Sequence, residues 1–142
     1  MTLKINITWF LRLGNQELGN KLLTIPFLVT IIIVTMTKKQ KYTLIYAPIT
    51  KLHLEVINRK FYSLIRTSIE NYLQYDPDIE TRNRKPLKRQ VTFEAEWELR
   101  FGPDNRFRVF YDIDMGSREI HILVIGEKVR DRLIIGRKEI KL

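Results

Sequence analysis

The feature that most constrains the fold is the regular alternation of apolar and polar residues in the C-terminal half of the chain. Three stretches show the two-residue period of half-buried β-strands, at 94–101, 106–114 and 119–125. The segments between them, Gly102-Pro103-Asp104-Asn105 and Met115-Gly116-Ser117, have the composition of tight turns. The pattern therefore predicts three antiparallel strands joined by hairpins.

The preceding part of the chain predicts one strand and two helices. Residues 42–47 are rich in β-branched and aromatic side chains, and Pro48 ends this strand. From 48 to 75 the pattern is helical, with a break at Asn58-Arg59 and an end at Asp76-Pro77. The predicted fold class is therefore α+β, with two N-terminal helices packed on one face of a mainly antiparallel sheet of about four strands, in the order β-α-α-β-β-β.

The first 37 residues differ from the rest. Residues 22–36 carry no charge and contain Pro26, and they are fewer than the roughly 20 that a membrane-spanning helix needs. Three interpretations stay open: a marginal membrane anchor, a β-rich apolar segment that packs elsewhere, or an extension upstream of the true start at Met36, with 1–35 untranslated. We predict a hydrophobic extension over 1–37 and a domain over 38–142, with membrane contact only if 22–36 is a real anchor.

Charge and composition narrow the classes of function. The 142 residues carry a formal net charge of +9, which favours a polyanionic partner. The absence of cysteine excludes disulfides, thiolate metal sites and cysteine nucleophiles. The two histidines are far apart in sequence, so we expect no metal site and no cofactor.

Arginines alternate with large apolar residues in two of the predicted strands. Because successive side chains of a strand point to opposite faces, Arg100, Arg108 and Phe110 are expected on the face that the helices do not cover. One interpretation is that the arginines bind phosphate while Phe110 stacks on a base. The other is a solvated face on which acidic residues pair with the arginines across strands.

Two further features can each be interpreted either as functional or as ordinary structure. The segment 76–90 reads as a loop with five cations, which either contact RNA phosphates or are simply solvated: Arg82, Arg84, Lys85, Lys88 and Arg89. His121 lies in a predicted strand and is either a general acid or base or an ordinary surface or core residue.

Several segments together resemble the RelE/ParE superfamily of toxins from type II toxin-antitoxin modules. The resemblance is carried by NRKPL, WELRFG, FRVFYDID and ILVIGEKVRD in this order, and it covers 42–140. It implies a RelE-like cytoplasmic toxin that inhibits translation by cutting mRNA, in many relatives on the ribosome, without a metal. It also implies a cognate antitoxin partner, which we expect to be acidic because the chain is basic.

The resemblance also suggests which residues form the site. Arg108 matches the strand arginine that grips phosphate, Lys128 stands where the family has its second key arginine, and Arg130 and Arg100 complete the catalytic set. Glu96 or Glu98 is a candidate general base, as acidic residues are in some relatives, and His121 is a candidate acid or base. The lysines and the tyrosine that many relatives carry are missing from the matching positions. Two alternatives therefore remain: a ParE-like toxin that binds a topoisomerase without cleaving RNA, and a weak relative that mainly binds its antitoxin.

Overall fold

The computed structural model describes residues 39–88 and 94–141. Contacts between Cα atoms group Gln40–Leu142 into one compact unit. The predicted extension over 1–37, with its apolar segment 22–36, lies outside the described residues. Within those residues, no helix is both long and apolar enough to cross a bilayer.

The described part of the chain contains two α-helices and seven β-strands. Helix α1 spans Ile49–Glu55 and helix α2 spans Tyr62–Leu73, and a 3₁₀ turn at Arg59–Phe61 leads into α2. The strands in chain order are β1 (Thr43–Tyr46), β2 (Arg84–Pro86), β3 (Trp97–Phe101), β4 (Phe107–Asp114), β5 (Glu119–Val129), β6 (Arg132–Ile135) and β7 (Lys138–Lys141).

All seven strands form one sheet. Its order is β2-β3-β4-β5-β6-β7, and every neighbouring pair in this series is antiparallel. Strand β1 adds parallel to the first half of β5, with Thr43 opposite Glu119. The long β5 thus has β4 on one side and, in succession, β1 and β6 on the other.

The main core lies between α2 and one face of the sheet. Buried helical residues Ile65, Ile69 and Leu73 pack on this face. The sheet contributes Leu99, Phe101, Phe107, Val109, Tyr111, Ile120, Ile122 and Ile125. The residues of β3 and β4 follow the two-residue period, so their predicted alternation is confirmed. In β5 the period is broken between Ile122 and Ile125, where the register with β4 shifts at Phe110/Tyr111.

The predicted four-stranded sheet beneath two N-terminal helices is wrong. Strand β2 lies inside the segment predicted as a loop, and it forms because its three residues pair with β3. The C-terminal tail forms a complete hairpin of β6 and β7, turning at Gly136 with a φ of +57°. Long-range pairing decides β2, whose Arg, Lys and Pro residues have weak strand propensity.

Helix α1 completes the edge of β5 between β1 and β6. Its residue His53 is buried, and Nδ1 of His53 accepts a hydrogen bond of 3.4 Å from the backbone N–H of Ile125. This imidazole nitrogen stands in for the carbonyl of a neighbouring strand. Because burial disfavours the charged ring, the pKa of His53 is lowered.

Candidate functional site

Arg108 lies in the middle of the sheet, on the face opposite α2. It is directly opposite Arg100 of β3 and Gly126 of β5. Its side chain is only 13% exposed, whereas that of Arg100 is 34% exposed. The structure thus brings the two predicted strand arginines together at the centre of this face.

Glu98 holds both arginines. Its Oε1 accepts a hydrogen bond of 2.8 Å from Nη1 of Arg108, while its Oε2 accepts bonds of 2.8 and 2.6 Å from Nε and Nη2 of Arg100. The Glu98 side chain is 3% exposed. Since both oxygens are engaged by guanidinium groups, we interpret Glu98 as an anchor for the cations, in place of the general base considered from the sequence.

This face of the sheet carries a second, smaller core. Phe110, Val124, Leu133, Ile135 and Ala95 form a buried cluster on it. Phe110 is 4% exposed, so the structure places it in this core and not on an open surface where a base can stack. The face that was expected to be exposed is therefore largely buried around Arg108. The expected ion pairing between acidic residues and arginines is present, since Glu98 pairs with Arg100 and Arg108.

Gly126 lets strand β6 and its apolar side chains approach the site. A Cβ atom at this position would lie 2.8 Å from Cδ1 of Leu133 and 3.1 Å from Cγ1 of Ile135. The glycine is thus required by close packing, and Arg108 faces a backbone without a side chain.

Lys128 lies two residues beyond Gly126 and so shares its face with Arg108. Its backbone N–H donates a 2.6 Å hydrogen bond to the carbonyl of Arg106. A cleft of about 450 Å³ lies at this end of the sheet, lined by Pro103, Asp104, Arg106, Lys128, Val129 and Arg130. The structure therefore brings Lys128 and Arg130 together beside a cavity that carries excess positive charge.

Arg106 is a member of this cleft that the predicted site set left out. Its guanidinium lies 4.6 Å from the centroid of the Phe61 ring and forms an ion pair with Glu127. Its place directly after the turn-forming residues Gly102-Pro103-Asp104-Asn105 is the sequence signal that could have identified it.

His121 is not part of the cluster. It pairs with Asp112, four residues along β4 from Arg108, which corresponds to about 13 Å along the strand. Its Nε2 lies 3.4 Å from a carboxylate oxygen of Glu119. The structure does not bring His121 within reach of a phosphate bound at Arg108.

The predicted basic loop is divided among different roles. Arg84 lies in β2 and donates a hydrogen bond to the carbonyl of Tyr72, near the end of α2, which is a structural role. Lys85 is exposed and lies opposite Glu98, on the face that carries Arg108. Arg82 and Lys88 are exposed, and Arg89 lies outside the described residues.

Two further observations bear on the chemistry. Tyr111 donates a 2.7 Å hydrogen bond to the carbonyl of Pro77 on the α2 side of the sheet, and burial raises its pKa. Over the described ranges 39–88 and 94–141, no group of three or more acidic or histidine side chains is arranged to hold a metal ion. Among the described residues, the face that carries Arg108 also presents Arg100, Lys85 and Lys128 as cations.

Comparison with known proteins places the fold. Neither a protein-family model nor a curated protein matches the sequence. The structure is similar to a chain of the toxin-antitoxin complex RelBE2 from Mycobacterium tuberculosis, with a TM-score of 0.53 and 21% sequence identity. The match covers 64% of this chain and 95% of the other. The resemblance to RelE-like toxins is therefore confirmed at the level of the fold, which this domain shares with a chain of the RelBE2 complex.

Proposed function

We propose that this chain is the toxin of a type II toxin-antitoxin pair and that it inhibits translation in the cytoplasm by cutting mRNA, without a metal. The proposal rests on one observation above all. Arg108, at the centre of a sheet that has the fold of a RelBE2 chain, is fixed by the buried Glu98 on the same face as Lys128.

The proposed reaction is attack of a ribose 2′-hydroxyl on the adjacent phosphorus. The bond between O2′ and phosphorus forms as the bond to O5′ breaks; the 2′-hydroxyl loses its proton, and O5′ gains one. The product ends are a 2′,3′-cyclic phosphate and a 5′-hydroxyl. Negative charge grows on the phosphoryl oxygens in the transition state, so fixed cations lower the barrier.

Arg108 is suited to hold the phosphate. Its Nη1 is used by Glu98 and its Nε is buried without a hydrogen-bond partner among the described residues, so a phosphate has to approach through the exposed 13% of the side chain. Glu98 acts as a positioning residue because it fixes the plane of the guanidinium. Lys128 supplies a second, mobile point charge, and Arg130 extends the contact along the RNA backbone.

The hydrogen bonds of Glu98 to two arginines also limit the expected rate of RNA cleavage. General acid and base groups typically contribute about 10²- to 10⁴-fold, and neither Glu98 nor His121 is placed for this role at Arg108. We therefore expect catalysis mainly through charge stabilisation, and slower cleavage than an enzyme with a free base achieves.

The test is induced expression of the full chain, with primer extension to locate new transcript ends. We expect growth arrest, loss of mRNA and cleavage at defined positions. The double variant Arg108→Ala with Lys128→Ala should lose toxicity, whereas Arg132→Ala, an exposed β6 arginine paired with Glu139, should keep it. If the double variant arrests growth as the parent does, the site assignment fails.

The pairing of Arg100 and Arg108 with Glu98 favours a second candidate, a weak relative that mainly binds its antitoxin. The positive charges of Arg100 and Arg108, which were expected to be free for RNA, are already partly neutralised by Glu98. Absence of any growth effect in the same experiment would support this candidate. DNA damage with intact transcripts would instead indicate a ParE-like toxin that acts on a topoisomerase.

A further inference from the structure

Strand β1 has one open edge. It pairs with β5 on one side, and no other strand of the described part of the chain lies beside it. The N–H groups of Thr43 and Ala47 donate to carbonyls of β5 and of the residue before it, at 3.0 and 2.9 Å. Because backbone groups alternate in direction along a strand, the N–H and C=O groups of Leu44 and Tyr46 point away from β5. They have no hydrogen-bond partner among the described residues, so they are available to another strand.

The other two edges of the described sheet carry residues that oppose strand pairing. Strand β2 reads Arg-Lys-Pro, and its proline lacks the N–H group that a ladder needs. Strand β7 reads Lys-Glu-Ile-Lys and is dominated by charge. Strand β1 reads Thr-Leu-Ile-Tyr and carries neither charge nor proline. Since proteins usually guard exposed strand edges with lysine, proline or other charges, the unguarded edge of β1 is typical of one that another strand covers.

The side chains of this edge are apolar and accessible. Leu44 and Tyr46 line a cavity of about 650 Å³ to which α2 also contributes, and Tyr46 is 41% exposed. Ile45 points to the opposite face of the sheet and is 38% exposed. On α2, Arg66 and Glu70 line the same cavity and pair with each other at 3.0 Å, so together they add no net charge. The edge thus offers free backbone groups and an uncharged surface.

We propose that β1 pairs with β1 of a second copy of this chain, antiparallel about a two-fold axis, so that the two sheets become one. This pairing is independent of the proposed function. Leu44 of each copy lies opposite Tyr46 of the other, and each such pair exchanges both of its N–H···O bonds. Ile45 lies on the axis, directly opposite Ile45 of the other copy. The interface is isologous, as two-fold interfaces are.

The register follows from the backbone groups that are already used. A shift toward the start of β1 brings in Tyr42, whose N–H already donates to the carbonyl of Gln74 at 2.7 Å. A shift toward its end brings in Pro48, which has no N–H group. The register centred on Ile45 uses the free groups of both Leu44 and Tyr46. Opposite residues share a face, so Tyr46 of one copy covers Leu44 of the other at the cavity.

Charge distinguishes a second copy from other occupants of this edge. Each copy carries a formal charge of +9, and β1 itself carries none. The repulsion between copies is screened over about 10 Å at 0.1 M salt. Salt should therefore strengthen the pairing, whereas it weakens the binding of a basic chain to a polyanion. An acidic peptide is disfavoured as the occupant, because β1 has no charged side chain that recognises it.

The first test places a single cysteine on the axis, since the chain has none of its own. Ile45→Cys puts two thiols on opposite residues whose Cα atoms are about 4.5 Å apart, within the roughly 4.4–6.8 Å that a disulfide spans. With diamide as oxidant, the full chain should form a disulfide-linked dimer on a non-reducing gel. Thr43→Cys is the matched control, because exposed Thr43 shares this face and lies opposite Ala47 in the proposed register. It should cross-link about tenfold more slowly or less, and equal rates would overturn the inference.

The second test is sedimentation equilibrium of the full chain over a range of concentration and salt. We expect a monomer–dimer equilibrium that shifts toward the dimer as salt is raised. Ile45→Lys sets two like charges directly opposite each other and should raise the dissociation constant about tenfold or more. Ile79→Lys adds the same charge at a position that is 50% exposed, and it should leave the constant within about twofold. Far-UV circular dichroism checks that both variants are folded.

Three results of sedimentation and cross-linking would overturn the pairing. The first is a parent chain that stays monomeric at about 100 μM. The second is self-association that Ile45→Lys leaves unchanged, which would place the contact elsewhere on the chain. The third is a monomeric parent whose Ile45→Cys variant cross-links to a different co-expressed protein, which would assign the edge to that protein. Growth arrest is a separate readout, since a dimer without toxicity refutes the nuclease and leaves the pairing intact.

Discussion

Replacing Glu98 with glutamine should destabilise the protein by removing the charge that balances two arginines. The amide keeps the shape of the carboxylate, and its one oxygen can accept from only one guanidinium side. Its NH₂ group then faces the donors of the other arginine. Arg108 is the more buried partner, with 13% of its side chain exposed, so it has little access to replacement water.

The expected cost follows from these contacts. Breaking a fully buried ion pair costs about 3–5 kcal/mol, and a single hydrogen bond to a charged group about 1.5–3 kcal/mol. Arg100 is about one-third exposed and regains solvation, which reduces the loss. We therefore expect the free energy of unfolding to fall by about 2–4 kcal/mol.

Urea denaturation of the full chain measures this change. Trp97 lies in β3 with its ring centroid 6.3 Å from that of Tyr111, so its fluorescence, recorded in a Trp9→Phe background, reports on packing of the sheet. Far-UV circular dichroism should give the same transition if unfolding is two-state. The control is Glu139→Gln, which breaks a pair exposed by 63% and 50% and should cost less than about 1 kcal/mol.

The reasoning is refuted if Glu98→Gln and Glu139→Gln have the same stability. In that case the three hydrogen bonds of Glu98 contribute no more to the free energy of unfolding than one ion pair on the surface does. A stable Glu98→Gln variant would also remove the argument that Glu98 fixes the orientation of Arg108.

Two other predictions concern packing and pH. Gly126→Ala should lower the free energy of unfolding by about 1–3 kcal/mol in urea denaturation, because its methyl group meets Leu133 at 2.8 Å. Gly116→Ala, in an exposed turn, should change it by less than about 0.5 kcal/mol, and equal effects would contradict the packing argument. His53 has a folded-state pKa below its unfolded value, so its contribution to stability is present above pH about 6.5 and is lost as the pH falls through the folded pKa. Part of the stability lost as the pH falls below about 6.5 should therefore be absent in His53→Gln, and identical pH profiles would show that protonation of His53 is not involved.

The parts of the fold that were predictable are those fixed by local pattern. The alternation of β3 and β4 assigned the faces of Leu99, Val109 and Arg108 correctly, because a two-residue period is a property of the strand itself. Strand β2 was missed because Arg84–Pro86 has no strand pattern of its own and forms only by pairing with β3.

The site was predictable to the same extent. The sequence placed Glu98 and Arg108 on one face, and it left their burial undetermined. That burial coincides with a second core to which Leu133 and Ile135 of β6 contribute, residues distant in sequence from Glu98. The distance between His121 and Arg108 could not be predicted, because it depends on the register of β4 and β5. In that register His121 pairs with Asp112, four residues along β4 from Arg108.

The parallel addition of β1 to β5 has a consequence for synthesis of the chain. Tyr46 finds its partner Ile122 only after nearly the whole domain has left the ribosome. Contacts so distant in sequence are slow to form, because a long loop must close first. A nascent chain therefore carries β1 unpaired while residues 47–118 are synthesised, and the sheet is completed only when β5, β6 and β7 have emerged.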